Sequence, residues 1–155
     1  MTHDRRFVRL HVTYRGVLGV EVGIFVAVDH LRRADRLSTD DERRYFDIDD
    51  WFRTGLPNPT FYADGNTVGA VTWFKTAATA DMLERLEPLC DILDRHAVAW
   101  LRTDTDDPGE IIYEDEFQVG AIPRLRLEPT PLPANVILGP TTPGSKRHLG
   151  KQPEP

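Results

Sequence analysis

The chain has 155 residues, enough for one domain with a buried core, and its hydrophobic content of 40% is typical of a globular protein. Its net charge is −6 and is unevenly distributed. Residues 124–155 carry +3, from five Lys or Arg and two acidic residues, so residues 1–123 carry −9. Such an acidic body argues against nucleic-acid binding. The single cysteine excludes an internal disulfide, and the longest apolar stretch, residues 17–28, is too short to span a bilayer, so we expect a cytoplasmic protein outside the membrane.

Apolar periodicity predicts one strand and two helices in the first part of the chain. Residues 7–14 alternate between apolar and polar, which predicts a half-buried strand. Residues 24–37 carry apolar side chains at helical spacing and predict a first helix. A second helix is predicted to begin at Thr39, which has capping-box spacing with Glu42, and to end before Gly55.

The middle of the chain predicts a strand, a helix and a strand, over residues 66–75, 78–96 and 97–102. A helix that joins two strands in this way indicates a right-handed crossover, so we expect the two strands to be parallel. Pro88 is expected to kink the helix, because it removes a backbone donor. A final strand pair completes the order β-α-α-β-α-β-β-β. The predicted fold class is α+β: a two-layer domain with a mixed β-sheet of about four or five strands and helices on one face.

The composition changes near Pro123. Eight of the twelve prolines lie at position 123 or later, and the segment has no sustained period. We therefore predict a single α+β domain over residues 1–123 and a Pro-rich, disordered tail over residues 124–155 that is available to contact a partner. Residues 134–139 (ANVILG) are its one apolar piece, and packing back on the domain is favoured over docking on a partner. Truncation after Arg126 is expected to leave the fold intact.

Three acidic residues, Glu114, Asp115 and Glu116, interrupt the apolar run near residue 117. In one continuous strand, Asp115 would share a face with large apolar side chains, and a buried unpaired carboxylate is costly. In a hairpin the three acids lie at the reversal, where Asp is a favoured residue. The hairpin is the favoured interpretation, and a catalytic or metal-binding acid cluster is the alternative.

Several segments together resemble a family of small bacterial proteins of unassigned function. They are WFRTGLPNP (51–59), GAVTWFK (69–75), LDRHAV (93–98) and DDPGEIIYEDEFQV (106–119). The resemblance covers roughly residues 15–122 and leaves out the tail. The chain departs from the family pattern at Arg53, where Asn is common, and in GAIPR after the hairpin. The resemblance implies the layout of elements and no activity.

Lys75 is the only lysine in residues 1–123, against thirteen arginines. It ends a strand just before a helix, where α/β-type sheets place ligands, and a compact or tunable amine is what lysine offers over arginine. Lys75 is thus a candidate ligand-binding or catalytic residue, with a solvated lysine as the favoured alternative. Trp73 shares its strand face and is a second candidate, although core packing is its ordinary role.

The segment YRGVLGVEVGIF (14–25) follows a strand and precedes a helix. Its glycines could let backbone N–H groups approach an anion, so Arg15, Gly16 and Gly19 are candidate ligand-binding residues. It lacks the P-loop and dinucleotide-binding patterns, and a simple glycine-containing connection is favoured. The histidines show no metal-binding spacing, so we expect no metal site and no cofactor.

These observations favour a non-catalytic binding or accessory protein, whose partner is a protein or a small anionic ligand. The alternative is a small metal-assisted hydrolase of phosphate esters or nucleotides. It would use Lys75 as electrophile, with Glu114 and Glu116 as metal ligands or general base. Convergence of these residues in one pocket would favour the hydrolase, and acids pointing to open solvent would disfavour it.

Overall fold

A computed structural model describes residues 5–78 and 80–137 of the chain. Within these residues one six-stranded sheet packs against helices, and the predicted α+β class is confirmed. The strands are β1 (Phe7–Arg15), β2 (Glu21–Gly23), β3 (Val71–Lys75), β4 (Trp100–Thr105), β5 (Glu110–Glu114) and β6 (Gln118–Ile122). The helices are α1 (Ile24–Arg33), α2 (Thr39–Gly55), α3 (Ala80–Arg95) and the single turn α4 (Ala134–Ile137). Two short 3₁₀ segments cover Thr60–Asp64 and Thr76–Ala78.

Strand β1 lies at the centre of the sheet. One of its edges pairs with β4 from Phe7 to Val12, and the other pairs first with β3 and then with β2. Strands β6 and β5 follow beyond β3, and all of these pairings are antiparallel. Because β3 and β4 are both antiparallel to β1, they run in the same direction, as predicted. They are not neighbours, however, since β1 lies between them, and every described strand pairing is antiparallel where a mixed sheet was expected.

The core lies between one face of the sheet and the three long helices. Fully buried side chains of β1, α1 and α3 meet there: Val12, Ala27, Val28, Leu31, Leu86, Leu89 and Leu93. Helix α3 runs unbroken through Pro88. Helix α2 is capped one residue earlier than the sequence indicates, because Ser38 Oγ accepts a hydrogen bond from the Asp41 N–H at 3.0 Å.

The chain continues along the domain after β6. The Arg126 guanidinium donates to the carbonyls of Leu18, Val68 and Gly69, and the Thr130 N–H donates to the Arg15 carbonyl. These contacts hold residues 124–137 on the domain, whereas the sequence indicated a boundary near Pro123. Residues 138–155, the rest of the predicted tail, lie outside the described residues.

Helix α4 ends this segment with a core contact. Val136 is fully buried among the residues of the main core, and the Arg36 guanidinium donates to the Asn135 carbonyl at 2.5 Å. The Asn135 amide in turn donates to the carbonyls of His96 and Ala97. The apolar piece predicted at residues 134–139 therefore packs back on the domain over its described part. Among the described helices, none combines the length and the hydrophobicity needed to cross a membrane.

Candidate functional site

A cavity of about 1220 Å³ opens where the sheet divides. On one edge, β1 pairs with β3 at Phe7 and Val8, and its pairing with β2 begins only at His11. Arg9 and Leu10 fall between these two pairings, and both line the cavity. The other walls include α1, the end of α2, the loop at residues 56–59, the connection from β1 into β2, and Pro129, Thr130 and Leu132 of the C-terminal segment.

Three phenylalanines from three elements form one wall of the cavity: Phe25 of α1, Phe52 of α2 and Phe74 of β3. The rings of Phe25 and Phe52 meet edge to face with centroids 5.3 Å apart, and the centroids of Phe52 and Phe74 are 6.0 Å apart. All three pack against the core yet keep exposed surface. This aromatic wall offers ring faces and edges to a molecule in the cavity.

Arg9 is the charged group at the division of the sheet. Its Nη2 donates to the Glu21 carbonyl at 2.5 Å, and within the described residues its side chain forms no ion pair. Burial lowers the pKa of Arg9 to about 10, and the nearby Glu21 and Tyr62 oppose that shift. The guanidinium therefore remains charged at neutral pH in a poorly hydrated place.

The other arginines that line the cavity have partners. Arg33 pairs with Asp29 at 2.7 Å and Arg53 pairs with Asp49 at 3.1 Å, both one helical turn apart. Arg15 donates through Nε to the carbonyl of Glu128 at 2.8 Å. Arg9 thus differs from Arg33 and Arg53 in having only a neutral carbonyl as its described hydrogen-bond partner, and from Arg15, whose carbonyl bond is exposed, in that its own bond is partly buried.

A neutral polar pair completes the lining. The Tyr14 hydroxyl and His30 Nδ1 share a hydrogen bond at 2.9 Å. Burial raises the pKa of Tyr14 and lowers the pKa of His30, so both side chains are uncharged at neutral pH. The pair adds hydrogen-bonding capacity to the cavity without adding charge.

The ligand-binding residues predicted from sequence fall in different places. Arg15 and Gly16 line the cavity. Gly19 has φ +78° and is packed against the C-terminal segment, where a Cβ would come within 2.8 Å of the Leu127 carbonyl oxygen. Trp73 and Lys75 do not line the cavity, although their neighbours in β3, Thr72 and Phe74, do.

The acidic cluster forms the hairpin end that the sequence favoured. Asp115 Oδ1 accepts from the backbone N–H groups of Phe117 and Gln118, and Oδ2 accepts from the Tyr113 hydroxyl at 2.6 Å. Burial alone would raise the pKa of Asp115, but these hydrogen bonds outweigh it and lower the pKa below its usual value. Asp115 is therefore a structural residue of the turn.

Lys75 Nζ, at the end of β3, meets Glu114 Oε2, at the end of β5, at 2.5 Å. The Glu114 side chain is 57% exposed and Glu116 is also exposed, and neither contributes to the cavity lining. The part of the chain that the structure describes contains no group of three or more His, Cys, Asp or Glu residues arranged to hold a metal ion. The predicted convergence of Lys75 with the acids is thus one exposed ion pair outside the cavity.

Sequence reasoning missed Arg9 and the aromatic wall. Arg9 occupies an outward position in an alternating strand, where a charged residue is ordinary, and nothing local marks the division of the sheet. The three phenylalanines are separated along the chain and meet only in the fold. Comparisons with protein-family models, curated proteins and solved structures give no match.

Proposed function

We propose that this is a non-catalytic binding protein that holds a small, mainly apolar molecule in the cavity at the division of the sheet. The observation that carries the proposal is the cavity itself, about 1220 Å³ with three partly exposed phenylalanines in one wall. Ligand sites in proteins are concave, mainly apolar and supplied with a few polar groups. Exposed aromatic surface of this kind is stabilised by an apolar occupant.

The position of the cavity in the fold also supports binding. Its walls come from β1, β3, α1 and α2, which are fixed by the core, so an entering molecule meets a largely formed site. The C-terminal segment forms part of the border through Pro129, Thr130 and Leu132. A site of this construction holds its shape without a ligand, which limits the entropy lost on binding.

The metal-assisted hydrolase remains the alternative proposal, with Lys75, Glu114 and Glu116 as its residues. Among the described residues, the Lys75–Glu114 ion pair is the contact that favours it. Two observations disfavour it. The Asp115 carboxylate already accepts hydrogen bonds from backbone N–H groups of the turn, and the three proposed residues lie outside the cavity. Binding in the cavity is therefore the better-supported function.

Binding of the neutral fluorescent probe N-phenyl-1-naphthylamine tests this proposal. We expect probe fluorescence to rise with wild-type protein and the increase to be lost in Leu10→Trp, which places a larger ring in the cavity. Leu101→Trp is the matched control, because Leu101 is 53% exposed and lies outside the cavity lining. Equal binding by both variants, after thermal melts show both are folded, would contradict the proposal.

A further inference from the structure

We infer that the cavity selects a monocarboxylic acid with a bulky aromatic body, and that Arg9 is the residue that binds its carboxylate. This inference rests on the proposed function and specifies its ligand class. Three features of the site support it. The guanidinium of Arg9 forms no described ion pair, Asp29 and Asp49 are already paired with arginines, and three phenylalanines line the same cavity.

The hydrogen-bonding capacity of Arg9 is mostly unused. A guanidinium has five N–H donors, and the described structure gives it one partner, the Glu21 carbonyl. Thr76 Oγ1 is the one buried side-chain polar atom without a partner among the described residues, so the other nitrogens of Arg9 are not sealed inside the protein. Since Arg9 lines the cavity, a ligand there can reach them.

A carboxylate matches this arrangement best. The planar guanidinium binds a carboxylate through two parallel N–H···O bonds, and charge-assisted bonds of this type are about twice as strong as neutral ones. The carboxylates of Asp29 and Asp49 are already paired with Arg33 and Arg53. Arg15 has no carboxylate partner either, but its bond to the Glu128 carbonyl is exposed, so Arg9 supplies the partly buried positive charge of the cavity. Glu21 nearby disfavours a ligand with two negative charges.

The aromatic wall sets the rest of the ligand. Phe25, Phe52 and Phe74 line the same cavity as Arg9 and present ring surface to it. An aromatic ring packs on such a wall in edge-to-face or offset contact. The volume of about 1220 Å³ admits a ring system of several fused rings, with its acid group directed toward the division of the sheet.

Titration with 4-(1-pyrenyl)butyrate and with its methyl ester tests the inference. Pyrene fluorescence reports binding of both compounds, and the ester carries a methyl group in place of the negative charge of the acid. We expect wild-type protein to bind the acid about tenfold or more tightly than the ester, since hydrogen bonds to charged groups contribute at least one factor of ten. This comparison requires no variant and therefore does not depend on the folding of a mutant.

Arg9→Met then assigns the preference to one residue. It should lose the difference between acid and ester, while Arg43→Met, an exposed arginine outside the cavity lining, should keep the wild-type preference. Equal affinity of wild-type protein for acid and ester would overturn the inference and leave the cavity as an apolar binding site. The proposed function would be overturned as well if neither compound bound and if Leu10→Trp bound N-phenyl-1-naphthylamine as the wild-type protein does.

Discussion

Replacing Val136 by alanine tests whether the C-terminal segment belongs to the folded domain. Val136 is fully buried in the main core, ten residues beyond Arg126. If residues 124–137 are part of the domain, Val136→Ala must lower the free energy of unfolding as any core truncation does. If the domain ended near Pro123, the same change would leave the free energy of unfolding almost unchanged.

The magnitude follows from the buried side chain. The substitution removes two methyl groups from a site with 0% exposure, and each buried carbon group contributes about 0.8 kcal/mol of transfer free energy. The cavity left behind adds to this loss, so we expect about 1.5–3 kcal/mol in total. Val17, with 80% of its surface exposed, provides the matched control, and Val17→Ala should change stability by less than about 0.5 kcal/mol.

Thermal melting followed by circular dichroism measures both variants. For a domain of this size, the expected loss corresponds to a Tm lower by about 5–10 °C in Val136→Ala. Urea denaturation at one temperature gives the same comparison as a shift in midpoint at constant slope. A Tm for Val136→Ala within 1 or 2 °C of the Val17→Ala value would refute the packing of α4 on the core.

Three further predictions concern the hairpin, the strand-end lysine and pH. Asp115→Ala should lower the free energy of unfolding by about 1–3 kcal/mol in urea denaturation, because it leaves turn N–H groups without an acceptor. Glu116→Ala should have almost no effect, and equal effects of the two substitutions would contradict the structural role of the aspartate. Lys75→Met should leave probe affinity unchanged and cost less than about 1 kcal/mol, since its partner is exposed; a loss of binding would return Lys75 to the ligand site. The free energy of unfolding should fall as the pH drops below 6.5, the pKa of histidine in an unfolded chain, and urea midpoints between pH 7.5 and 5.0 measure this change. The reason is that burial lowers the pKa of three histidines in the folded protein, so the unfolded chain takes up protons more readily: His11, His30 and His96. A flat profile over that range would contradict those pKa shifts.

Local sequence patterns were sufficient for most of the elements, although the short strand β2 and the single-turn helix α4 were not predicted. Alternation predicted β1, helical spacing predicted α1 and α2, and the cost of burying Asp115 predicted the hairpin. Each of these depends on residues close together in the chain, where hydrophobic period and turn chemistry act directly. The class of the fold followed from the order of the elements.

Strand order could not be read in the same way. The β3–α3–β4 unit was expected to give two parallel strands, which it does, but the sequence did not show that β1 lies between them. Sequence periodicity states which face of a strand is buried and carries no information about its neighbour. The sheet divides beside Arg9 because one edge of β1 pairs first with β3 and then with β2, and the cavity depends on that pairing.

The C-terminal segment shows a second limit of composition. Its prolines and lack of period indicate a chain that cannot form a core alone, and this prediction concerns the isolated segment. Arg126, Thr130 and Asn135 nevertheless bond to backbone groups of the domain, and Val136 enters a core that other elements provide. Packing on an existing surface requires only a few well-placed side chains. The average composition of the segment does not reveal these individual residues.

A crystal structure of the protein with bound 4-(1-pyrenyl)butyrate is the most direct test of the central claim that the divided sheet forms a carboxylate-binding cavity. The account predicts the carboxylate oxygens at about 2.7–2.9 Å from the Arg9 guanidinium nitrogens, with the pyrene ring against Phe25, Phe52 and Phe74. A ligand bound beside Lys75 and Glu114, or one in the cavity with its carboxylate directed away from Arg9, would contradict it.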